Sequence, residues 1–373
     1  MRFPEFTEEW ETKKLGEIAT FSKGKGISKS DIEEDGIIEC IRYGELYTHY
    51  REVINEIKSK TNVNPSTLVL SEKNDVIIPA SGETTIDIAT ASCVLKSGIA
   101  LGGDLNIIKT NNNGIFLSYY LNSKKKMEIA NLSQGISVVH LYSSQLASLS
   151  LSLPKLNEQN RISSFLALLD ERIQTQNKII EQLETLIKGL SEKLFSQEIR
   201  FKEFTDKWEL KKLGDISTIT TGSSNREDSI LNGEYTFFDR SQDIRTSSRF
   251  LFDKEAVIVP GEGQEFIPKY FIGKFDLHQR TYAIFDFRGI NGKYLYYHLL
   301  NDDKYLQSQA VGSTVKSLRL PMFQSMPIKS PCLDEQTTIA NFLSVIETKI
   351  QTEKNILDKY HSQKQYLLQN LFI

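Results

Sequence analysis

What this chain lacks narrows it first. Its 373 residues hold three cysteines, Cys40, Cys93 and Cys332, without a C-x-x-C pair, and the five histidines do not join them in a metal-ligand spacing. No zinc module, disulfide framework, metal or cofactor is expected. No apolar run approaches the roughly 20 residues of a bilayer-spanning helix, and Met1 is followed at once by the polar RFPEFTEEWE rather than by an apolar signal segment. A cytoplasmic protein with no membrane partner is expected. An excess of positive charge is missing too: 45 basic residues face 48 acidic ones, a net charge of −3. Phosphate neutralisation needs clustered Lys and Arg, so any grip on nucleic acid must be local or shared with partners.

Catalytic signatures are also missing. An amino-methyltransferase that flips adenine would carry N-P-P-[FY], whereas the only Asn-Pro here, Asn64-Pro65, is followed by Ser66-Thr67. The run GKGISKS at 24–30 lacks the glycine before Lys29-Ser30 that lets a P-loop cradle phosphates, and the glycine pair in VPGEGQ at 259–264 is too short for a cofactor loop. A triplet such as Glu56-Ile57-Lys58 arises by chance in so charged a chain. No nucleophile, base and orienter stand together, so the chain itself is expected not to be an enzyme.

What is present is a duplication. Residues 2–16, RFPEFTEEWETKKLG, return 198 positions later as RFKEFTDKWELKKLG, with eleven of fifteen positions identical. A second pair, LPKLNEQNRISSFLALLDERIQTQ from Leu153 and SPCLDEQTTIANFLSVIETKIQTE from Ser330, matches at an offset of 177. Each half is thus a divergent block followed by a similar helix, and the second block is 21 residues shorter. Two copies imply a pseudo-twofold object rather than a solenoid, which suits a twofold ligand such as duplex DNA.

Inside the first block, the β-branched runs at 36–43, 75–81 and 105–110 read as strands, and 116–132 reads as a helix matched by 293–309. Tyr119-Tyr120 align with Tyr296-Tyr297, at a spacing that favours core over base stacking, and Gly135 aligns with Gly312. Each glycine fits either an ordinary turn after a helix or a close approach to a DNA backbone. After each block comes a narrow apolar seam. Ile162, Leu166, Leu169, Ile173, Ile180, Leu183, Ile187, Leu190 and Leu194 keep heptad spacing, broken by Gln176; Ile339, Leu343, Ile346, Ile350, Leu357, Tyr360, Leu367 and Leu371 repeat it, with Glu353 and Lys364 as breaks. Residues 162–195 would make a helix about 50 Å long. Pro154 and Pro331 precede the helices, with Asn157 and Asp334 as expected N-caps. The narrow seams favour pairing of the two helices with each other over the competing reading, packing on their own domains, and a twofold across the rods between the two blocks would make the pair antiparallel.

The order of these parts, with the P-to-EQ-to-helix junction twice (Pro154, Glu158-Gln159, Ile162; Pro331, Glu335-Gln336, Ile339) and the W-x-x-x-x-L-G entry twice (Trp10, Leu15-Gly16; Trp208, Leu213-Gly214), resembles the specificity subunit of type I restriction-modification systems over essentially the whole chain. The resemblance implies an α+β fold with two globular target-recognition domains, residues 1–153 and 200–330, separated by two long antiparallel coiled-coil helices at 154–199 and 331–373. It also implies that each domain reads half of a split, asymmetric site on double-stranded DNA, while the helices dock two methyltransferase subunits and restriction subunits join them. An orphan scaffold or antirestriction mimic, binding methyltransferase subunits without reading DNA, is the competing reading.

Candidate DNA contacts follow from side-chain chemistry, since arginine pairs bidentately with guanine and glutamine with adenine. In the second block they are Arg240, Gln242, Arg245 and Arg249 after the strand TFFD, with Lys316 and Arg319 in GSTVKSLRL. In the first block they are Lys23, Lys25, Arg42 and Tyr43 near the entry, with Gln134, Ser137 and His140 in SQGISVVHL. Each alone is more readily a solvated charge or a phosphate contact than a base reader, and only the set carries weight.

Overall fold

The structure, a computed structural model, describes residues 1–372, residue 303 by its backbone only. It divides into two compact units, one made of Met1–Asn177 with Ile356–Ile373 and the other of Lys178–Asn355. Both divisions fall inside long helices, Leu156–Phe195 and Leu333–Asn370. Each unit therefore contains a globular block, the start of the helix that follows it and the closing stretch of the other helix.

In the first unit the strand Leu105–Thr110 is buried over its first four residues and lies next to the central strand of its sheet. It pairs antiparallel with Ala19–Lys23 on one side and Val76–Pro79 on the other, within a five-stranded sheet completed by Ser92–Val94 and Val53–Ile54. A four-stranded sheet built around Ile38–Ile41 stands beside it. The three expected strands are thus present at 38–41, 76–79 and 105–110. The expected helix over 116–132 is instead two helices, Gly114–Ser123 and Lys126–Leu132. The Ser123 hydroxyl donates to the Tyr119 carbonyl, and the N–H groups of both Lys124 and Lys125 converge on the Tyr120 carbonyl, which ends the ladder before a new turn starts. The second unit repeats the pair as Gly292–Asn301 and Asp303–Gln309, beneath a six-stranded sheet centred on Phe252–Pro260 and Lys269–Leu277.

The duplicated motifs meet in space, and they meet the same way in each unit. Arg2 Nε and Nη2 each donate at 2.7 Å to the carboxylate of Glu158, which also accepts from Trp10 Nε1 at 3.4 Å. In the second unit Arg200 grips Glu335 at the same two distances, and Trp208 donates at 3.2 Å. Both carboxylates are buried. The strands Glu11–Lys14 and Ser150–Leu153 pair antiparallel next to this clamp, as do Glu209–Lys212 and Pro327–Ser330. The neighbouring glutamines finish the helix entry. Gln159 Nε2 donates to the Pro154 carbonyl at 2.8 Å while its oxygen accepts from Asn113 N–H, and Gln336 does the same for Pro331 and Asn291. The helices begin at Leu156 and Leu333, so Asn157 and Asp334 lie within the first turn and are not the caps expected from sequence.

Within each unit the two helix segments run antiparallel. In the first, Asn113 meets Gln159 near the helix start and Phe372 packs on Phe116, while further along Lys364 meets Asp170 at 2.8 Å. In the second, Phe195 packs on Tyr294 near the start of the C-terminal helix, and Lys354 pairs with Glu184 further along. Lys364, a break in the heptad pattern, has a reason: it sits between Asp170 and Glu52. The tyrosine pairs are core, as expected. The Tyr119 hydroxyl donates to Asp170, and those of Tyr296 and Tyr297 donate to Glu347.

Two outcomes follow. Phe372 is a buried aromatic plugged between Phe116 and Tyr120, so Phe372→Ala should destabilise the first unit by about 3–5 kcal/mol. Hydrogen exchange should quicken at amides of Gly114–Ser123 and leave the second unit unchanged. The second concerns His298, whose Nε2 accepts the Lys329 N–H at 3.3 Å, as a neutral imidazole must. Burial pushes its pKa down to about 4, so on acidification the unfolded chain, near the ordinary 6.5, takes up the proton first. The stabilisation is present above about pH 6.5 and falls away toward about pH 4, by up to about 3 kcal/mol. Urea midpoints for wild type and His298→Gln should therefore converge or cross over that interval, the variant having the flatter profile.

Candidate nucleic-acid interface

Each unit carries a short finger at one end of its sheet. In the first, the chain leaves the helix Lys126–Leu132, turns at Gly135 and returns through Val139–His140, which pairs antiparallel with Ser81–Gly82. Gln134 and His140 close the finger by exchanging both backbone hydrogen bonds, at 2.9 and 2.7 Å. Its base is fixed by Gln145, which donates to the Leu132 carbonyl and accepts from Tyr142 N–H, and by Asn106, whose side chain donates to the Leu141 carbonyl. The second unit repeats the construction: Val311 and Ser317 exchange bonds at 3.0 and 2.8 Å, and Lys316–Ser317 pairs with Glu262–Gly263. Gly135 and Gly312 have φ of 127° and 121°, and a Cβ at either would collide with the carbonyl oxygen of Val138 or Val315 across the turn. The finger's own closure requires the glycine.

The expected contact residues distribute unevenly around these fingers. Gln134, Ser137 and His140 are exposed on the first finger. Lys23 joins them at the same sheet end, because it lies opposite Asn106 in the ladder. Lys25 is exposed and its N–H donates to Leu101, the register partner of Ile41, which brings it near Arg42 at another edge. Arg42 itself is committed inward: it bonds the buried Glu45 at 3.0 Å, which also accepts from Ser59. Tyr43 packs on the core around Ile41 and Leu46.

In the second unit the residues converge. Arg240 pairs with Glu262 at 2.9 Å, on the strand that supports the finger, and Gln242 donates to Glu265 just beyond that strand. Lys316 bonds Gln307, and Arg319 is exposed where the finger enters the helix Leu320–Gln324. Behind them Arg245 Nε donates to Asp239 at 3.2 Å, while Arg249 donates to Ser224 and lies 3.7 Å from both Asp276 and Asp228. Asp276 is buried and takes hydroxyl bonds from Ser224 and Ser247. Burial alone would raise the Asp239 pKa, but hydrogen bonds from Ser241 and the charges of Arg245 and Arg226 outweigh it and hold the carboxyl below the usual range. Nearby Lys269 is pushed down by burial.

This arrangement reconciles a negative net charge with a cationic surface. Arg226, Arg240, Arg245, Arg249 and Arg280 each have a carboxylate that fixes their direction, so these five present oriented donors rather than a field of loose charge. Sequence reading missed Arg226 and Arg280, which share the carboxylates Asp239 and Glu262, and the apolar finger residues Ile136, Val138, Val311 and Val315. The arginines lie far apart in sequence and only the sheet gathers them. The apolar residues had a signal, hydrophobic positions beside an aligned glycine in an otherwise polar loop.

The type I restriction modification DNA specificity domain matches residues 7–185 and again residues 205–359, two stretches that contain both fingers and the tryptophan and glutamate of each clamp. The chain belongs to this family. It is 23% identical over 399 residues to the type I restriction enzyme MjaVIII specificity subunit of Methanocaldococcus jannaschii, covering 97% of this chain and 91% of that protein. It is 29% identical over 152 residues to the EcoDI specificity subunit of Escherichia coli, a match that spans 41% of this chain and only 34% of that protein. The crystal structure of a type I S subunit from M. genitalium shares the fold at a TM-score of 0.72 and 17% identity, covering 100% of this chain and 99% of that one. The α+β architecture with a long helix between two specificity domains is thereby shown. Among the described residues, no helix of this specificity chain is long and apolar enough to cross a membrane.

The finger glycines give a direct check on this geometry. Gly312→Ala forces a side chain into a left-handed turn and against the Val315 carbonyl, at a cost of at least about 1 kcal/mol. The amides of Val311 and Ser317 should lose their protection from hydrogen exchange while the six-stranded sheet keeps its own.

Proposed function

We propose that each half of the chain reads one part of a bipartite, asymmetric site on double-stranded DNA, and that the chain supplies this specificity to a type I modification and restriction complex without doing chemistry itself. In this reading residues 1–153 and 200–330 are the target-recognition domains, and 154–199 and 331–373 are the spacer helices. The helices dock two methyltransferase subunits, to which restriction subunits join, in the cytoplasm where chromosomal DNA lies. The observation that carries the reading is the family match in both halves, each with its own finger beside exposed polar and basic side chains. A solved chain 17% identical to this one, at a TM-score of 0.55, comes from work on complex assembly and conformational transition of a type I system.

In the second domain Arg240, Gln242, Lys316 and Arg319 flank the finger and are assigned to base edges or adjacent phosphates, with Arg245 and Arg249 beside them. In the first, Lys23, Gln134, Ser137 and His140 take these roles, and Lys25 serves as a phosphate contact. Arg42 and Tyr43, both engaged with their own core, support the surface. Arg245 uses Nε for Asp239, so its terminal nitrogens are the end offered to a guanine.

Mapping methyladenine across the host genome with and without this gene tests the proposal: a split motif should vanish on deletion and return on complementation. An unchanged methylome would reject DNA reading and leave the scaffold. At residue level, Arg245→Ala should relax one base position at a cost of roughly 1–3 kcal/mol in discrimination if it reads guanine, whereas a phosphate contact would weaken all sequences alike. Competition binding against single-base variants of the mapped site separates the two.

A further inference from the structure

Ile136 stands at the tip of the first finger and is 100% exposed, and Val138, two residues on, is 52% exposed. Among the described residues, no hydrophobic core of the unit includes either. On the second finger the place of Val138 is taken by Val315, 50% exposed, while the place of Ile136 is taken by Ser313. The two fingers thus share a glycine, a turn and an apolar shoulder, and differ in chemistry at the tip. A shared frame with a divergent tip is what two readers of different half-sites require.

The surroundings decide what covers the first tip. Its flanks carry Gln134, Ser137 and His140, with Val138 and the half-exposed Tyr142 stacked on His140 as the apolar neighbours, and its base adjoins the sheet end that carries Lys23. A hydrophobic partner protein would be met by an apolar rim; a duplex is met by donors, acceptors and a lysine. A two-stranded ribbon of this kind fits the major groove, where the only apolar group on any base edge is the thymine 5-methyl. We propose that the finger of the first unit enters the major groove and that Ile136 is a specificity-determining residue there, reading a thymine through its 5-methyl group. This rests on the DNA-reading function proposed above. Ser313, at the equivalent tip, makes no such contact and presents a hydroxyl to its own half-site.

Thymine and deoxyuridine differ by that methyl alone, which gives the test. The full chain, assembled with its methyltransferase partner, is assayed on duplexes carrying the mapped site, with each thymine replaced in turn by deoxyuridine. At one thymine, removal of the methyl should weaken wild-type binding roughly fourfold, the worth of one buried methyl group. The same replacement should cost nothing in Ile136→Ser, and penalties in the other half-site should not move. A complex that prefers the mapped site normally yet shows no methyl penalty, or keeps the penalty unchanged in Ile136→Ser, overturns the assignment while leaving DNA reading intact. A complex with no preference for the mapped site over a scrambled duplex overturns both.

Discussion

A buried carboxylate at the first turn of each long helix holds the two ends of each globular block together. Glu158 and Glu335 lie away from water, where an unmatched negative charge is costly. Each is matched by an arginine fork and an indole N–H drawn from the segment that opens the block. The strand before the helix then pairs with the strand after the tryptophan, so entry and exit are locked side by side. Once that lock is in place the chain between can change freely. The second block omits 21 residues relative to the first and builds a different sheet, yet returns to the same clamp.

The same economy governs charge. A chain with more acid than base can still present arginines to phosphates if its carboxylates lie beneath them, as Asp239 and Asp276 do. Such pairs contribute little net stability near the surface, and their value lies in direction. An arginine held through one nitrogen keeps its planar fork in a fixed attitude and loses less entropy on meeting a base than a solvated one would. Lys23 and Lys25, which are exposed and have no carboxylate partner among the described residues, suit the less directional task of meeting phosphates.

The fingers show the converse, an apolar group where solvent should penalise it. Isolated exposed hydrophobic residues are common and mean little. Here an apolar shoulder, Val138 in the first half and Val315 in the second, recurs on a turn that only glycine closes, next to the strand that gathers the polar candidates. The recurrence turns a surface accident into part of a surface with a purpose.

Much of this was legible before any coordinates. The duplication, the P-to-EQ junctions, the narrow seams and the tyrosine pairs are local or periodic properties, and period and repetition survive in one dimension. The helix at 116–132 was misread because a seventeen-residue apolar pattern does not reveal a ladder that ends when two N–H groups compete for one carbonyl. Asn157 and Asp334 were misread as caps because the glutamines that tie the helix entry act through Asn113 and Asn291, each more than forty residues away. That Arg226 shares Asp239 with Arg245, that Arg280 shares Glu262 with Arg240, and where the finger of Ile136 stands depend on strand order and register. Those are settled by the packing of whole sheets, in which residues far apart in sequence are brought within hydrogen-bonding distance, and no window along the chain contains them.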